Sequence, residues 1–430
     1  MRPAEDLQSS IDQLAGLPIT YHLGGHDLSD FTLENADVVI RNPGVRRSSP
    51  YLQAARESGV RIEMEMSLFF AACRAPILGI TGTKGKTTVS TLCGEIMKAW
   101  RENAILAGNM GVSALGVVDE IQPDQPVVIE LSSWQLEALD EHKLGPKVAV
   151  ITNISPDHLD AYDTYEDYAA TKRTIAHHQA ADDYIVYNAD DADTRKVASE
   201  ATSTCLPFGL NPPAGDGAWA GEHALYLRLH GEQHELPLPG QLSLQGEHGT
   251  RNALAAALAC HAYGAPIEAI RSGLSSFAGV PNRLEELGSV NGVMYVNDTS
   301  ATAPAAAVHA IDVLGKAAED VHIICGGSDK KTDLTPFADA ITSNSVIPYL
   351  LDGSATPTLR LMLDARGVTY HGPFGNMQEA FAEAQARVSE GDVLALVPGC
   401  ASFGMFRNEF DRGDQFRAQV KKLEESSIAR

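Results

Sequence analysis

Basic residues are scarce in this 430-residue chain: 33 lysines and arginines stand against 56 aspartates and glutamates, a formal net charge of −23 at neutral pH. Nucleic acid is held by clustered cations, so this balance excludes nonspecific DNA or RNA binding. It excludes little else, because a few aimed amides and a single cation can seat a phosphate. Cysteine is scarce too. Six are scattered (Cys73, Cys93, Cys205, Cys260, Cys325, Cys400) with no Cys-x-x-Cys pair. That argues against a zinc site or disulfide framework and fits reduced thiols in a cytosol. No apolar run approaches the ~20 residues of a membrane span, and the start, Met1-Arg2-Pro3-Ala4-Glu5-Asp6, lacks the apolar stretch of a signal peptide. The expectation is a cytoplasmic protein with no membrane or nucleic-acid partner. The remainder is ordinary globular composition, 44% hydrophobic and 21% charged, with length for two or three domains.

Short β-branched runs repeatedly end in small or polar residues and give way to helical patterns. They fall at residues 76–80, 126–131, 147–152, 184–187, 321–325 and 392–397. Continuous apolar strands alternating with helices predict an α/β protein with doubly wound, mostly parallel sheets. Sites in such sheets lie beyond the carboxyl ends of the strands. The pattern restarts near Cys73-Arg74-Ala75-Pro76, and a second junction falls near Phe277-Ala278-Gly279-Val280-Pro281. Three domains follow: 1–74, 75–279 and 280–430. The Pro- and Gly-rich stretch 206–221 reads as an internal excursion with short strands after it.

The sharpest local signal is Gly79-Ile80-Thr81-Gly82-Thr83-Lys84-Gly85-Lys86-Thr87-Thr88, between a strand and a helical segment. Glycines let backbone N–H groups approach a phosphate, Lys86 supplies a cation, and Thr87 can ligate Mg²⁺. Ile80 stands where a strict Walker A loop wants glycine. The plain alternative is a glycine-rich turn carrying two exposed lysines. Further on, Glu130-Leu131-Ser132-Ser133 closes a strand. There a carboxylate can hold a metal bridging ATP phosphates, or merely accompany a helix cap. Asn153, Asp157, His158 and Asp160 crowd another strand end and suit Mg²⁺ and phosphate work. Lys172 lies in a helical pattern over 165–179, where a solvated lysine is the ordinary reading, as it is for His177 and His178.

Together these pieces resemble the central domain of the Mur ligases and their folylpolyglutamate synthetase relatives. The glutamate-adding branch matches in most detail, at Glu130-Leu131-Ser132-Ser133-Trp134-Gln135-Leu136-Glu137, Gly108-Asn109-Met110-Gly111 and Tyr187-Asn188-Ala189-Asp190-Asp191. Later segments agree: Asn297-Asp298-Thr299-Ser300-Ala301-Thr302, Gly326-Gly327-Ser328-Asp329-Lys330, and Pro398-Gly399-Cys400-Ala401-Ser402-Phe403. The resemblance implies a three-domain ligase that uses ATP and Mg²⁺ to join glutamate, on family grounds D-glutamate, to UDP-N-acetylmuramoyl-L-alanine through an acyl phosphate, acting as a monomer in peptidoglycan synthesis. It implies that Gly82, Thr83, Lys84, Gly85, Lys86, Thr87, Thr88, Asn252, Arg283 and Asp298 meet ATP. Thr87, Glu130, His158 and Lys172, the last carried as a carbamate, would hold Mg²⁺. Asn109, Ser132, Thr302, Lys330, Ser402 and Phe403 would meet the other substrates. The catalytic set is then Lys86, Glu130, His158, Lys172 and Lys330.

The chain departs from that pattern at Ser300, where lysine is usual, and at Ala303, Gly404, Gly249 and Asn282. The first three lie by the expected amino-acid pocket and leave D- versus L-glutamate open. Residues 1–74 hold no opening strand with a glycine-rich turn, from which we expect an incomplete uridine-binding domain and a reading frame continuing upstream by roughly 30 residues. Two other functions stay in play: another Mur-like or folylpolyglutamate-type amide ligase, and a nucleotide-binding protein that has lost ligation.

Overall fold

The structure, a computed structural model, describes residues 7–109, 113–156, 162–241, 244 and 246–428. Its strands build three sheets. The first pairs β1 (Val38–Ile40) with β2 (Arg61–Glu63) in parallel. The second contains β3 (Ile77–Thr81), β4 (Ile105–Gly108), β5 (Val127–Glu130), β6 (Val148–Ile151), β7 (Tyr184–Asn188), β8 (Thr204–Gly209), β9 (Gly217–Ala220), β10 (Leu225–Leu229) and β11 (Glu232–Leu236). Their spatial order is β11-β10-β9-β8-β7-β6-β3-β5-β4. The third runs β12-β13-β17-β14-β15-β16, from β12 (Glu285–Val290), β13 (Val293–Asn297), β14 (Val321–Gly326), β15 (Ile347–Leu351), β16 (His371–Phe374) and β17 (Val393–Leu396).

The strands read as continuous apolar runs are indeed covered on both faces. Residues of β3, β5 and β6 are buried along their whole length, as a parallel sheet packed by helices on each side requires. Only the edges turn antiparallel, at β9-β10-β11 and at β12-β13. The stretch 206–221 corrects the expectation of an excursion. β8 runs into it and β9 lies within it, both extending the sheet in parallel, because Leu206, Phe208 and Ala218 bury apolar side chains that outweigh the proline and glycine signals.

Chain order reverses around β3, which sits between β5 and β6 although β4 follows it in sequence. A crevice at such a switch point is where α/β sheets bind nucleotides. Register sets Ile80 opposite Glu130 on one side and Thr81 opposite Ile151 on the other. Among the described residues the first sheet's buried core is Leu52, Ala55, Val60 and Ile62, with Phe31, Ala36 and Val39 packed against it, too small to stand alone. The helix after it, Glu65–Ala72, inserts Met66, Phe69 and Phe70 into the core beneath the nine-stranded sheet. None of the described helices is long and apolar enough to cross a membrane.

Candidate active site

At the end of β3 the chain turns through residues 82–85 into the helix Lys86–Trp100. Gly82 and Gly85 have φ of +143° and +85°, and a Cβ at either would collide with the side chain of Thr152 or Asn252 respectively. Only glycine fits there. Asn252 thus packs directly on the loop. Asn153 clamps the loop's outer turn: its Oδ1 accepts the Lys84 N–H at 3.0 Å and its Nδ2 donates to the Lys84 carbonyl at 2.8 Å. The Lys86 ammonium donates to the carbonyls of Gly82 and Thr83 at 3.0 Å each. Thr87 and Thr88 lie half-buried in the first helical turn, at the positive end of the helix dipole.

Beside this loop sits a buried carboxylate. Glu130 is 2% exposed at the end of β5. Its Oε1 accepts the Asn109 amide at 3.0 Å, while Oε2 is buried with no hydrogen-bond partner among the described residues. An orphaned anionic oxygen in a dry site is costly unless a cation meets it, so the donor chemistry fits Mg²⁺. No group of three possible ligands stands together among the described residues; His158 lies outside them, and its expected place beside Glu130 is not described. Ser132 caps the next helix, Ser133–Glu141, with its N–H and hydroxyl both donated to Gln135 Oε1, at 2.8 and 2.9 Å. The cap reading of this segment is borne out.

Lys172 corrects the solvated reading. It is 2% exposed and its Nζ lies 4.9 Å from the centre of the Tyr168 ring. The helix carrying it, Tyr165–Arg173, ends earlier than the 165–179 pattern suggested and tightens into a 3₁₀ turn over Thr174–Ala176. Tyr168 is a residue that the sequence reading missed. Its hydroxyl shares a 3.1 Å hydrogen bond with Thr83 of the phosphate loop, so one ring joins loop and lysine. The available signal was its position four residues before Lys172, on the same helical face. His177 and His178 keep the ordinary reading and meet Asp140 at 3.2 and 3.0 Å.

The remaining candidates gather at the strand ends of the six-stranded sheet. Lys330 donates to Thr302 Oγ1 at 3.0 Å. Ser402 is buried; Phe403 is 65% exposed, and its carbonyl accepts the Ser328 hydroxyl. Asp298 is buried, its Oδ1 accepting the Leu284 N–H at 3.2 Å, and burial pushes its carboxyl up to about 7. Arg283 is exposed nearby. Beneath these loops the fully buried Arg412 donates to Thr299 Oγ1 (3.1 Å), the Thr299 carbonyl (3.0 Å) and the Cys400 carbonyl (3.2 Å). It ties the two segments that carry Thr302 and Ser402 to each other.

Comparison with known proteins agrees with this geometry. The Mur ligase middle domain matches residues 80–260. A UDP-N-acetylmuramoylalanine--D-glutamate ligase of Roseiflexus sp. (strain RS-1) is 41% identical over 433 residues, spanning 98% of this chain and 92% of the relative. The ligase of the same name from Symbiobacterium thermophilum is 36% identical over 98% of this chain and 91% of its own. Among solved structures, the E. coli FolC protein in complex with ADP superposes with a TM-score of 0.59 at 18% identity, covering 85% of this chain and 94% of that one. A MurF ligase from Thermotoga maritima with ADP gives 0.58 at 17% identity, over 91% and 96%. At such identities these two speak for the fold alone. Relatives that match nearly the whole chain define it as an ATP-dependent ligase. The chain belongs to the Mur ligase family.

Proposed function

We propose that this ligase joins glutamate, in its D form, to UDP-N-acetylmuramoyl-L-alanine for peptidoglycan synthesis. The observation that carries the reading is the orphaned Glu130 Oε2 set one strand from the phosphate loop, in a chain whose full-length relatives bear the D-glutamate ligase name. The carboxylate oxygen of the nucleotide substrate attacks the γ-phosphorus of ATP and ADP departs. The glutamate amine then attacks the acyl carbon, losing a proton as inorganic phosphate leaves. Protein groups do little covalent chemistry here; they position reactants and neutralise charge. Glu130 with Thr87, His158 and Lys172 would hold Mg²⁺, which would supply charge neutralisation at the phosphates when bound.

Lys86 faces the transferred phosphoryl group, and Ser132 and Asn109 flank the acyl end. Asn252, Arg283 and Asp298 serve the nucleotide, and Lys330, Thr302, Ser402 and the Phe403 backbone seat glutamate. Lys172 acts as a carbamate: at 2% exposure an ammonium is costly to keep, and an anion that shares the metal cation offsets that cost. Domains at 1–74, 75–279 and 280–430 divide the work, the last closing on the second, in a cytoplasmic monomer. Phosphate release from ATP tests this directly. It is expected to need both UDP-N-acetylmuramoyl-L-alanine and glutamate, with the higher kcat/KM for D-glutamate. Release without the nucleotide substrate, or a preference for L-glutamate, overturns the assignment and points to Ser300, Ala303 and Gly404.

A further inference from the structure

One ion pair joins the first sheet to the helix that follows the metal carboxylate. Arg41, directly after β1, is 6% exposed, and its Nη2 meets Glu137 Oε2 at 2.8 Å on the helix Ser133–Glu141, where Glu137 is 8% exposed. The guanidinium also donates to the Val45 carbonyl at 3.3 Å and reaches the Trp134 carbonyl at 3.5 Å. Glu137's other oxygen takes the Tyr162 hydroxyl at 3.1 Å. Both charges are thus withdrawn from water and fastened on each side of the junction. Just past the end of the same helix, His142 meets Glu63 Oε2 at 3.2 Å and the Ile62 carbonyl at 2.8 Å, at the end of β2.

Arg41, held from behind by Glu137, forms part of the wall of a cavity of about 340 Å³, with Ile40, Pro43, Met64, Glu65 and Gln135 among the other lining residues. Gln135 is the residue whose side chain accepts from Ser132, two positions after Glu130. One side chain therefore touches the cavity and the cap of the helix behind the metal carboxylate. A buried pair is weak as a source of stability, since an apolar pair of similar volume often does as well or better. What it fixes is register.

We propose that Arg41 is a positioning residue for ligation: through Glu137 it holds this cavity, and the acyl end of a substrate seated in it, in register with Glu130. The inference rests on the function proposed above.

The test is steady-state kinetics and thermal unfolding of the full chain carrying Glu137→Gln, Arg41→Lys, or the apolar pair Arg41→Met with Glu137→Leu. Glu137→Gln should raise KM for UDP-N-acetylmuramoyl-L-alanine about tenfold, the range of lost supporting contacts, with KM for ATP within about twofold. Arg41→Lys, which keeps the charge, should raise that KM less. The apolar pair should unfold at or above the wild-type temperature and still show the raised KM. Wild-type kinetics in a folded apolar-pair variant would overturn the proposal while leaving the function intact. A wild-type enzyme that does not turn over this substrate would remove the function, and the proposal with it.

Discussion

Around the phosphate loop, Glu130 and Lys172 are each 2% exposed; on the six-stranded sheet, Lys330 lies at the surface and Phe403 shows 65% of its area to solvent. The attachments of the outer units differ in the same sense. The first sheet is fastened to the central one by Arg41–Glu137, His142–Glu63 and the inserted Met66 and Phe69. Across the second junction the His248 and His309 rings meet edge-on at 5.9 Å, and among the described residues no ion pair spans it. A buried, prewired half can bind and polarise phosphates at once. Under the function proposed above, the exposed half is the one to be brought to it, by closure of the C-terminal unit. Both halves hang on strand ends, so the difference lies in what covers them and not in topology.

Breaking the buried half should have the largest effect. Lys172→Ala is expected to lower kcat on the order of 10³-fold, comparable to removing a preorganised charge from an active site. A small added carboxylate filling the vacated position should restore part of it, and turnover of the wild type should fall when bicarbonate is withdrawn. A folded Lys172→Ala enzyme with near-normal kcat, or one that no carboxylate rescues, would refute the carbamate.

A change in the exposed half should act on affinity more than on chemistry. Lys330→Ala removes a charged donor held by Thr302, worth about 1.5–3 kcal/mol to a charged ligand. KM for glutamate should therefore rise roughly 10- to 100-fold, with KM for ATP unchanged. If kcat falls and the glutamate KM does not, Lys330 belongs with the prewired half and the contrast drawn above fails.

How much of this was legible depended on whether the chemistry is contiguous. Gly82, Lys86 and Thr87 fall within one short run, and Glu130 at the end of an apolar strand, so local pattern sufficed for them. Lys172 has no local signature; its burial comes from packing against Tyr168, and only family resemblance singled it out. Arg41 was missed altogether because its partner is 96 residues away. The strands β8 and β9 were missed where Pro207 and Gly217 outvoted their buried neighbours, and the early end of the Lys172 helix has no proline or glycine to announce it. Arg412 was given no role, since a fully buried guanidinium bonded to carbonyl and hydroxyl oxygens is visible only once both loops are in place.

The finest probe of the contrast is Asp298, the C-terminal half's counterpart of Glu130: a buried carboxyl just past a strand end. Burial outweighs its hydrogen bond from Leu284 and the field of Arg283, and its carboxyl sits at about 7, against about 3.9 in an unfolded chain. The folded state therefore binds this proton more tightly than the unfolded one. The stability it contributes is complete below about pH 4 and is lost as pH rises through 7. Asp298→Asn keeps the shape and the acceptor oxygen for the Leu284 N–H but cannot ionise. In the ligand-free enzyme, thermal unfolding between pH 5 and 8 should fall less with pH in this variant than in the wild type, the two agreeing best at the acid end. Parallel profiles would mean that Asp298 is already ionised in the folded protein, paired with a cation such as the nearby Arg283, and that the C-terminal half is prewired too.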